Sequence, residues 1–199
     1  MTIRPGAARV FIPGQSARSS HFLPPAFAAM LCGLVVLTTG RTAQAFELTG
    51  RASVVDGDTL EIHGNRIRLW GIDAPEASQL CRNEASEQYR CGAEAATRLD
   101  AFISSRPVRC VPNSNDRYGR AVALCVVDAT DLGGWLVRNG LASDWPKYSK
   151  GTYAEDQLTA ERKEVGLWRG SFSKPWLYRL CIISGGRPAE CSDMTDPNR

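Results

Sequence analysis

Three short runs of alternating apolar and polar residues follow one another between residues 50 and 72. The runs are GRASVVD (50–56), DTLEIH (58–63) and RIRLWGI (66–72), and an Asp-Gly pair and a Gly-Asn pair lie at their junctions. Alternation with a period of two is typical of β-strands, and both dipeptides are typical of hairpin turns. We therefore expect three antiparallel strands joined by tight turns.

The next part of the chain combines helical spacing with further strand patterns. Apolar residues in 84–104 recur every three or four positions, which predicts an amphipathic helix. VRCVP (108–112) and RAVALCVV (120–127) are typical of two strands paired across the turn between them. Helical spacing returns twice, in DLGGWLVRNGLA (131–142) and in YAEDQLTAERKEVGLW (153–168).

Five strands, with one helix between the third and fourth and two helices after the last, favour a small barrel. We expect an α+β fold, an OB-type five-stranded Greek-key β-barrel with about three α-helices. Residues 170–199 show little periodicity, and we interpret them as a tail that lies over the domain.

The first 45 residues differ from the rest of the chain. They carry four arginines and no acidic residue, and an apolar run (27–40) is followed by the sequence TAQA. A basic start, a short apolar run and small residues at Ala43 and Ala45 are typical of a secretory signal peptide, which is too short to span a membrane stably. We expect cleavage after Ala45, with Met30 as an alternative start. The expected parts are a signal peptide (1–45), a barrel domain (46–169) and a disulfide-stapled tail (170–199).

Removal of the signal peptide reverses the sign of the net charge. The whole chain has 24 basic and 21 acidic residues and a formal charge of +3. Without the four arginines, 20 basic and 21 acidic residues remain, and the net charge is −1 with histidine neutral. The mature protein is therefore not a polycation, and binding to nucleic acid would need a local positive patch.

Six of the seven cysteines lie after the expected cleavage site. An even number of cysteines in an exported chain indicates disulfides, although six cysteines allow many pairings. We expect neighbours to pair: Cys81 with Cys91, Cys110 with Cys125, and Cys181 with Cys191. A zinc site is the alternative, but it is disfavoured because the chain has no C-x-x-C motif and keeps only His63 after cleavage.

Five charged residues lie unusually close to apolar strands: Asp58, Arg68, Asp73, Glu76 and Arg120. Three carboxylates brought together would repel one another unless a cation lay between them or one carried a proton. Carboxylate oxygens suit calcium or magnesium, and calcium is favoured in an exported protein because its coordination tolerates an irregular turn. Two arginines beside such an ion indicate a phosphate ligand. The set predicts a metal-dependent phosphodiesterase.

The same residues have ordinary structural interpretations. Residues 56–58 and 116–120 fit surface turns, and Arg68 with Glu76 fits a salt bridge. Taken singly, these interpretations are favoured because turns and surface ion pairs are common. The active-site hypothesis therefore depends on the combination of residues.

Three segments carry a resemblance to a known family. VVDGDTL (54–60), IRLWGIDAPE (67–76) and DRYGRAVA (116–123) strongly resemble, in family order, the signature segments of the thermonuclease family, the staphylococcal-nuclease-like domains. The resemblance extends from about residue 47 to residue 168. It implies an OB-type barrel with three helices, and calcium-dependent cleavage of DNA and RNA that leaves 3′-phosphate ends.

The resemblance also implies roles for individual residues. Asp58 and Asp73 correspond to calcium ligands, and the carbonyl of Ala74 takes the place of a threonine carbonyl in the best-known member. Glu76 corresponds to the carboxylate that acts as general base or orients water. Arg68 and Arg120 correspond to the two phosphate-binding arginines, so that all the principal catalytic positions are filled.

Three further residues are expected to bind the nucleotide: Arg117, Tyr118 and Tyr148. Arg117 and Tyr118 fall in the nucleotide-pocket segment, where Tyr118 would stack on or hydrogen-bond to a terminal nucleotide. The alternative for Tyr118 is a turn aromatic that caps the barrel. Trp145 and Tyr148 replace base-contacting rings, or Trp145 belongs to the core.

The leading hypothesis is a monomeric, periplasmic or secreted calcium-dependent nuclease that acts on DNA and RNA, single strands being favoured. A non-catalytic OB module that binds nucleic acid or an acidic polysaccharide is the first alternative, and the presence of Asp73, Glu76 and Arg120 argues against it. The second is a periplasmic accessory to polysaccharide export, because similar domains occur in bacterial chains named for exopolysaccharide production.

Overall fold

A computed structural model describes residues 47–193 of the chain. The predicted signal peptide and its cleavage site lie outside the described residues. Within 47–193, no helix has the length and apolar character needed to cross a membrane.

The described residues form eleven short strands and six α-helices. The strands are β1 (Leu48–Gly50), β2 (Ala52–Asp56), β3 (Thr59–Ile62), β4 (Asn65–Leu69), β5 (Ile72–Asp73), β6 (Cys81–Arg82), β7 (Gln88–Tyr89), β8 (Val108–Asn115), β9 (Ala121–Val127), β10 (Thr130–Asp131) and β11 (Ser143–Asp144). The helices are α1 (Cys91–Ile103), α2 (Leu132–Arg138), α3 (Pro146–Ser149), α4 (Ala154–Arg162), α5 (Pro175–Ile183) and α6 (Pro188–Ser192), and a 3₁₀ turn spans Gly166–Arg169.

Seven of the strands form one sheet in the order β1-β8-β9-β4-β3-β2, and β10 pairs with β9. The expected meander is present, since β3 is antiparallel to both β2 and β4. The expected hairpin of β8 and β9 is also present. A parallel pairing of β4 with β9 joins these two units, and it brings the strand that carries Arg68 beside the strand that follows Arg120.

Alternation along β4 separates the core from the functional face of the sheet. Ile67 and Leu69 are buried in the main hydrophobic cluster together with Leu60 of β3. Leu99 of α1 packs into the same cluster. Because successive side chains of a strand leave opposite faces, Arg68 leaves the sheet on the face away from Ile67 and Leu69.

Two predicted helices have different bounds in the structure. The helix expected over 84–104 begins only at Cys91, because β6 and β7 form a hairpin in which Cys81 pairs with Tyr89. The helix expected over 153–168 ends at Arg162. There Glu164 and Gly166 adopt positive φ angles of 48° and 58°, which an α-helix does not accommodate.

Residues 170–199, which show little periodicity and are expected to form a tail over the domain, include regular structure. Of these residues, those up to 193 are described, and they contain α5 and α6. Helix α5 buries Tyr178 but leaves Leu180 and Ile183 exposed by 60% and 75%. Apolar residues on both faces of a helix blur the period of 3.6 residues, which is why the pattern did not indicate one.

The three neighbouring cysteine pairs are confirmed as disulfides: Cys81–Cys91, Cys110–Cys125 and Cys181–Cys191. Cys110 and Cys125 face each other across the β8–β9 ladder. The Cys181–Cys191 bridge joins α5 to α6 and so closes the C-terminal segment, by which we mean residues 170–193.

Gly92 lies where α1 meets the turn after β5. A Cβ atom at this position would lie 2.0 Å from the carbonyl oxygen of Glu76 and 2.7 Å from that of Pro75. Both obstacles are backbone atoms, so only movement of the turn itself could relieve the contact. The residue type at position 92 therefore governs how closely α1 can approach Glu76.

We expect Gly92→Ala to lower the free energy of unfolding by about 1–3 kcal/mol, because the added methyl group overpacks a rigid contact. Urea denaturation of the oxidised protein measures the loss. Arg98→Ala, on an exposed part of the same helix, is the control and should change the free energy by less than about 0.5 kcal/mol. Equal stability of Gly92→Ala and wild type would contradict the close approach.

Candidate active site

Arg68 lies between two buried carboxylates. Thr59 pairs with Arg68 across the β3–β4 ladder, so the residue before Thr59, Asp58, lies beside the arginine. One nitrogen, Arg68 Nη2, is 2.8 Å from Asp58 Oδ2 and 2.7 Å from Asp73 Oδ1. A single guanidinium therefore links the β2–β3 turn to the end of β5.

Asp73 and Ala74 lie at the end of a second, two-stranded ladder. Asp73 is fully buried and pairs with Ser143 of β11. The next backbone N–H, that of Ala74, donates to Asp58 Oδ2 at 3.2 Å. The turn after β5 therefore wraps around the Asp58 carboxylate, and the Ala74 carbonyl belongs to the same turn.

Glu76 follows three residues after Asp73 and is more accessible. Its side chain is 36% exposed, and its backbone N–H donates to Gln79 Oε1 at 3.3 Å. The Glu76 carboxylate pairs with an arginine that the sequence did not single out, Arg179 of α5, at 2.8 Å.

Arg179 holds Asp73 as well as Glu76. Its Nη1 donates to Asp73 Oδ1 at 3.0 Å, and its Nη2 donates to Asp73 Oδ2 at 2.7 Å. The same Nη1 donates to Glu76 Oε1. Arg179 is thus bidentate to one carboxylate and shared with a second, which is the geometry that suits a planar guanidinium.

Burial and charge act in opposite directions on these groups. Burial raises the pKa of Asp58 to about 7, although Arg68 opposes the change. Burial also raises the pKa of Asp73, against the hydrogen bonds and charge of Arg179. For Arg179, burial would lower the pKa, but Asp73 and Glu76 outweigh it and the pKa is raised. The ionised site has three carboxylates against two guanidinium groups and so favours a further cation.

The donor set fits a hard cation with few protein ligands. Two carboxylate oxygens that share one nitrogen at 2.8 and 2.7 Å are also close enough to share one ion, since calcium lies about 2.3–2.6 Å from its oxygens. Among residues 47–193, no three His, Cys, Asp or Glu side chains form a ready metal-ligand group. Asp58, Asp73 and the Ala74 carbonyl would therefore leave the remaining positions of a calcium ion to water.

Arg120, Arg117 and Tyr118 form a separate cluster in the turn before β9. Arg120 Nε donates to Asp116 Oδ2 at 2.7 Å, and both arginines lie over the Tyr118 ring, at 4.8 Å for Arg117 and 5.7 Å for Arg120. In the described part of the chain, no ion pair or hydrogen bond joins Arg120 to Asp58, Asp73 or Glu76. The five predicted site residues are therefore not all in mutual contact.

The sheet nevertheless directs Arg120 toward the side on which Arg68 lies. Arg68 lies beside Val122 in the register of the parallel β4–β9 pair. Arg120 precedes Val122 by two residues, and residues two apart leave a strand on the same face. Of the side-chain nitrogens of Arg120, only Nε has a hydrogen-bond partner among residues 47–193, so the two terminal amino groups remain available to an anion.

Trp145 covers the arginine pair instead of joining the core. Its ring lies 5.9 Å from the Arg68 guanidinium carbon and 5.4 Å from that of Arg179. Trp176 of α5 stacks on it at 5.8 Å, and Tyr148, which is exposed, meets it edge-on at 4.5 Å. The structure therefore excludes the interpretation of Trp145 as a core residue. Tyr148 contacts Trp145 and is separated from the charged network by that ring.

Sequence reasoning missed two residues of this arrangement, Trp176 and Arg179. They lie three positions apart in PWLYRL, a spacing that puts both on one face of a helix. The sequence did contain a signal for these residues, namely an aromatic and a basic residue at helical spacing beside a cysteine pair. It could not indicate which part of the barrel that face would contact.

Comparisons with known proteins agree with this geometry. Residues 66–170 match the family described as staphylococcal nuclease homologue. The chain is 44% identical to a Rhizobium meliloti protein named succinoglycan biosynthesis protein ExoI, over 77% of this chain and 81% of that protein. It is 29% identical to a micrococcal nuclease of Shigella flexneri, over 63% and 76% of the two chains. It is 31% identical to an uncharacterized endonuclease of Haemophilus influenzae, over 58% and 62%.

The matched region contains β4, β5, β8 and β9, which carry or adjoin most of the candidate site residues. The domain of this family is an OB-type fold, and the α+β arrangement of sheet and surrounding helices is the one expected from the sequence. The fold class is therefore confirmed, although the described residues contain six α-helices where about three were expected. By its sequence match and its fold, the chain belongs to the family of staphylococcal nuclease homologues.

Proposed function

We propose that this protein is an exported, calcium-dependent nuclease that hydrolyses phosphodiester bonds of DNA and RNA to 3′-phosphate ends. The observation that carries the proposal is one connected network, in which Arg68 links Asp58 to Asp73 and Arg179 links Asp73 to Glu76. It is supported by the nuclease names of relatives from Shigella flexneri and Haemophilus influenzae.

The chain's own residues supply binding and proton transfer. Arg68 and Arg120 would hold the phosphate from two sides of the same face, and their charge would stabilise the additional negative charge at phosphorus in the transition state. Glu76, the most accessible of the three carboxylates, would accept the proton of the attacking water. As the water oxygen bonds to phosphorus, the bond from phosphorus to the 5′ oxygen breaks, the 5′ oxygen takes a proton from solvent, and the phosphate stays on the 3′ side.

Asp58, Asp73 and the carbonyl of Ala74 would hold calcium. When bound, calcium would neutralise charge on the phosphate and make the attacking water easier to deprotonate. Arg117, Tyr118 and Tyr148 would bind the nucleotide, since an exposed ring can stack on a base of a single strand. The formal charge of the chain without its first 45 residues is −1, so this local cluster of arginines would provide the attraction for nucleic acid.

Three disulfides support export to the periplasm or medium, because such bonds persist in oxidising compartments. We also propose that the domain acts as a monomer and that the first 45 residues are removed by cleavage.

A second function is favoured by one specific observation, the name of the Rhizobium meliloti relative in succinoglycan biosynthesis. In this alternative the domain binds nucleic acid or an acidic polysaccharide without cleaving it. The arginine and aromatic groups would serve either ligand, whereas an accessible Glu76 beside Asp73 is needed only for cleavage.

We expect calcium to be required for activity. The oxidised protein should digest single-stranded DNA with calcium, lose the activity in EGTA and regain it when calcium is restored, because the ionised site carries excess negative charge without the ion. Product length on denaturing gels and 3′-end labelling before and after phosphatase measure cleavage and end type. Tight binding of DNA or acidic polysaccharide without cleavage would instead establish the second function.

At saturating calcium, Glu76→Gln should lower kcat by about 10²–10⁴-fold, because the amide keeps the shape of the side chain but cannot accept a proton from water. Calcium should bind up to about tenfold more weakly, because one of the three negative charges is lost. Single-turnover cleavage of a labelled oligonucleotide measures the rate, and calcium titration calorimetry provides the control. A rate within a few-fold of wild type would exclude Glu76 as the general base.

Arg120→Ala should reduce kcat/KM by about 10²–10³-fold, because one of two cations at the phosphate is lost. Arg66→Ala is the matched control, since Arg66 is exposed on β4 and, among residues 47–193, its ion-pair partner is Glu61 at 3.8 Å. Steady-state kinetics on the same oligonucleotide compares the two variants. Equal losses in both would mean that Arg120 contributes only to the general charge of the surface.

A further inference from the structure

We propose that Arg179 is a positioning residue of the active centre, which holds Glu76 in place beside Asp73, and that the C-terminal segment is therefore part of the active site. This inference rests on the proposed function. It concerns a residue beyond the family match, which ends at residue 170.

Arg179 is the ion-pair partner of Glu76 among residues 47–193. Glu76 lies in a turn, and its half-exposed side chain would sample several rotamers if nothing held it. Arg179 Nη1 bonds to Glu76 Oε1 at 2.8 Å and to Asp73 Oδ1 at 3.0 Å. One nitrogen therefore sets the separation between the proposed base and a proposed metal ligand.

The arginine is itself held from two directions. Both oxygens of the fully buried Asp73 accept from it, which fixes the plane of the guanidinium. The ring of Trp145 lies 5.4 Å from its central carbon. Because these contacts already fix the Arg179 guanidinium, it loses little further conformational entropy when it binds Glu76. It can therefore hold the Glu76 carboxylate in one position.

The helix that carries Arg179 is bonded to the chain just beyond Glu76. The hydroxyl groups of Tyr178 and Ser78 are 2.9 Å apart, and Gln79 Nε2 donates to the carbonyl of Ser173 at 2.6 Å. The backbone N–H of Leu80 donates to Ser192 Oγ at 2.9 Å. The C-terminal segment therefore packs on residues 78–80, with the Cys181–Cys191 bridge closing it on the other side.

A positioning role and an inhibitory role of Arg179 predict opposite effects of its removal on the rate of catalysis. Arg179 occupies three hydrogen-bond positions on the carboxylates that would serve the ion and the water. Its removal therefore releases Asp73 from one of its two guanidinium partners and subtracts a positive charge, so a divalent cation should bind more tightly. If Arg179 only blocked the site, catalysis would improve as well; if it orients Glu76, catalysis is impaired while the cation binds better.

The experiment combines kinetics with calcium titration for Arg179→Gln, Arg179→Lys and the control Arg187→Gln. Arg187 lies in the same segment and pairs with Glu190, so its change removes one charge away from the site. We expect Arg179→Gln to lower kcat by about 10–100-fold with little change in KM, and to bind calcium about tenfold more tightly. Arg179→Lys should restore part of the rate, and Arg187→Gln should match wild type in both measurements.

A double-mutant cycle decides whether Arg179 acts through Glu76. In the Glu76→Gln background, Arg179→Gln should change the residual rate by less than about twofold, because the group that it positions is already inactive. Multiplicative losses would overturn the proposal, as would a faster Arg179→Gln enzyme or an unchanged rate.

Fold stability separates a structural role from positioning. Urea denaturation of each variant establishes that the assays use folded protein, and a purely structural arginine would weaken calcium binding and activity together. Inactivity of the wild type would reject the proposed nuclease instead, whereas an active wild type with an unaffected Arg179→Gln rejects only the present inference.

Discussion

The site depends on one interaction, the Arg68 guanidinium between the carboxylates of Asp58 and Asp73. Two buried carboxylates in one place are costly, because each loses hydration and each repels the other. The guanidinium offsets both effects and fixes the distance between the β2–β3 turn and the end of β5. The raised pKa values of Asp58 and Asp73 indicate that the offset is incomplete, so the pocket retains an affinity for positive charge.

The packing of the barrel core fixes the face of β4 from which Arg68 leaves the sheet. Ile67 and Leu69 are buried, and their alternation with Arg68 requires the arginine to leave the opposite face of β4. The parallel neighbour β9 presents Arg120 near that face, although its guanidinium bonds to Asp116. Under the proposed function, the substrate phosphate is the group that would bridge the two clusters.

Contacts with the candidate site residues extend past the region that matches the family. The match covers residues 66–170, whereas Arg179 and Trp176 come from the C-terminal segment and contact Asp73, Glu76 and Trp145. The segment has its own disulfide and its own bonds to residues 78–80, so its position does not depend on Arg179 alone. Residues beyond the matched region therefore place a second guanidinium and a second indole beside the carboxylates.

The sequence alone determined the strands of the meander and the β8–β9 hairpin, because alternation and turn residues are local properties. It favoured the observed disulfide partners among many possible pairings. It also predicted one group of five residues, because three motifs occur together: Asp58, Arg68, Asp73, Glu76 and Arg120. Only the tertiary structure decided that Arg179 completes that group and that Arg120 pairs with Asp116. The Arg179 contacts depend on how α5 packs on a turn about a hundred positions earlier in the chain. The Arg120–Asp116 pair depends on the side-chain directions within one turn. A one-dimensional pattern carries the period of a helix but not the surface on which its polar residues finally lie.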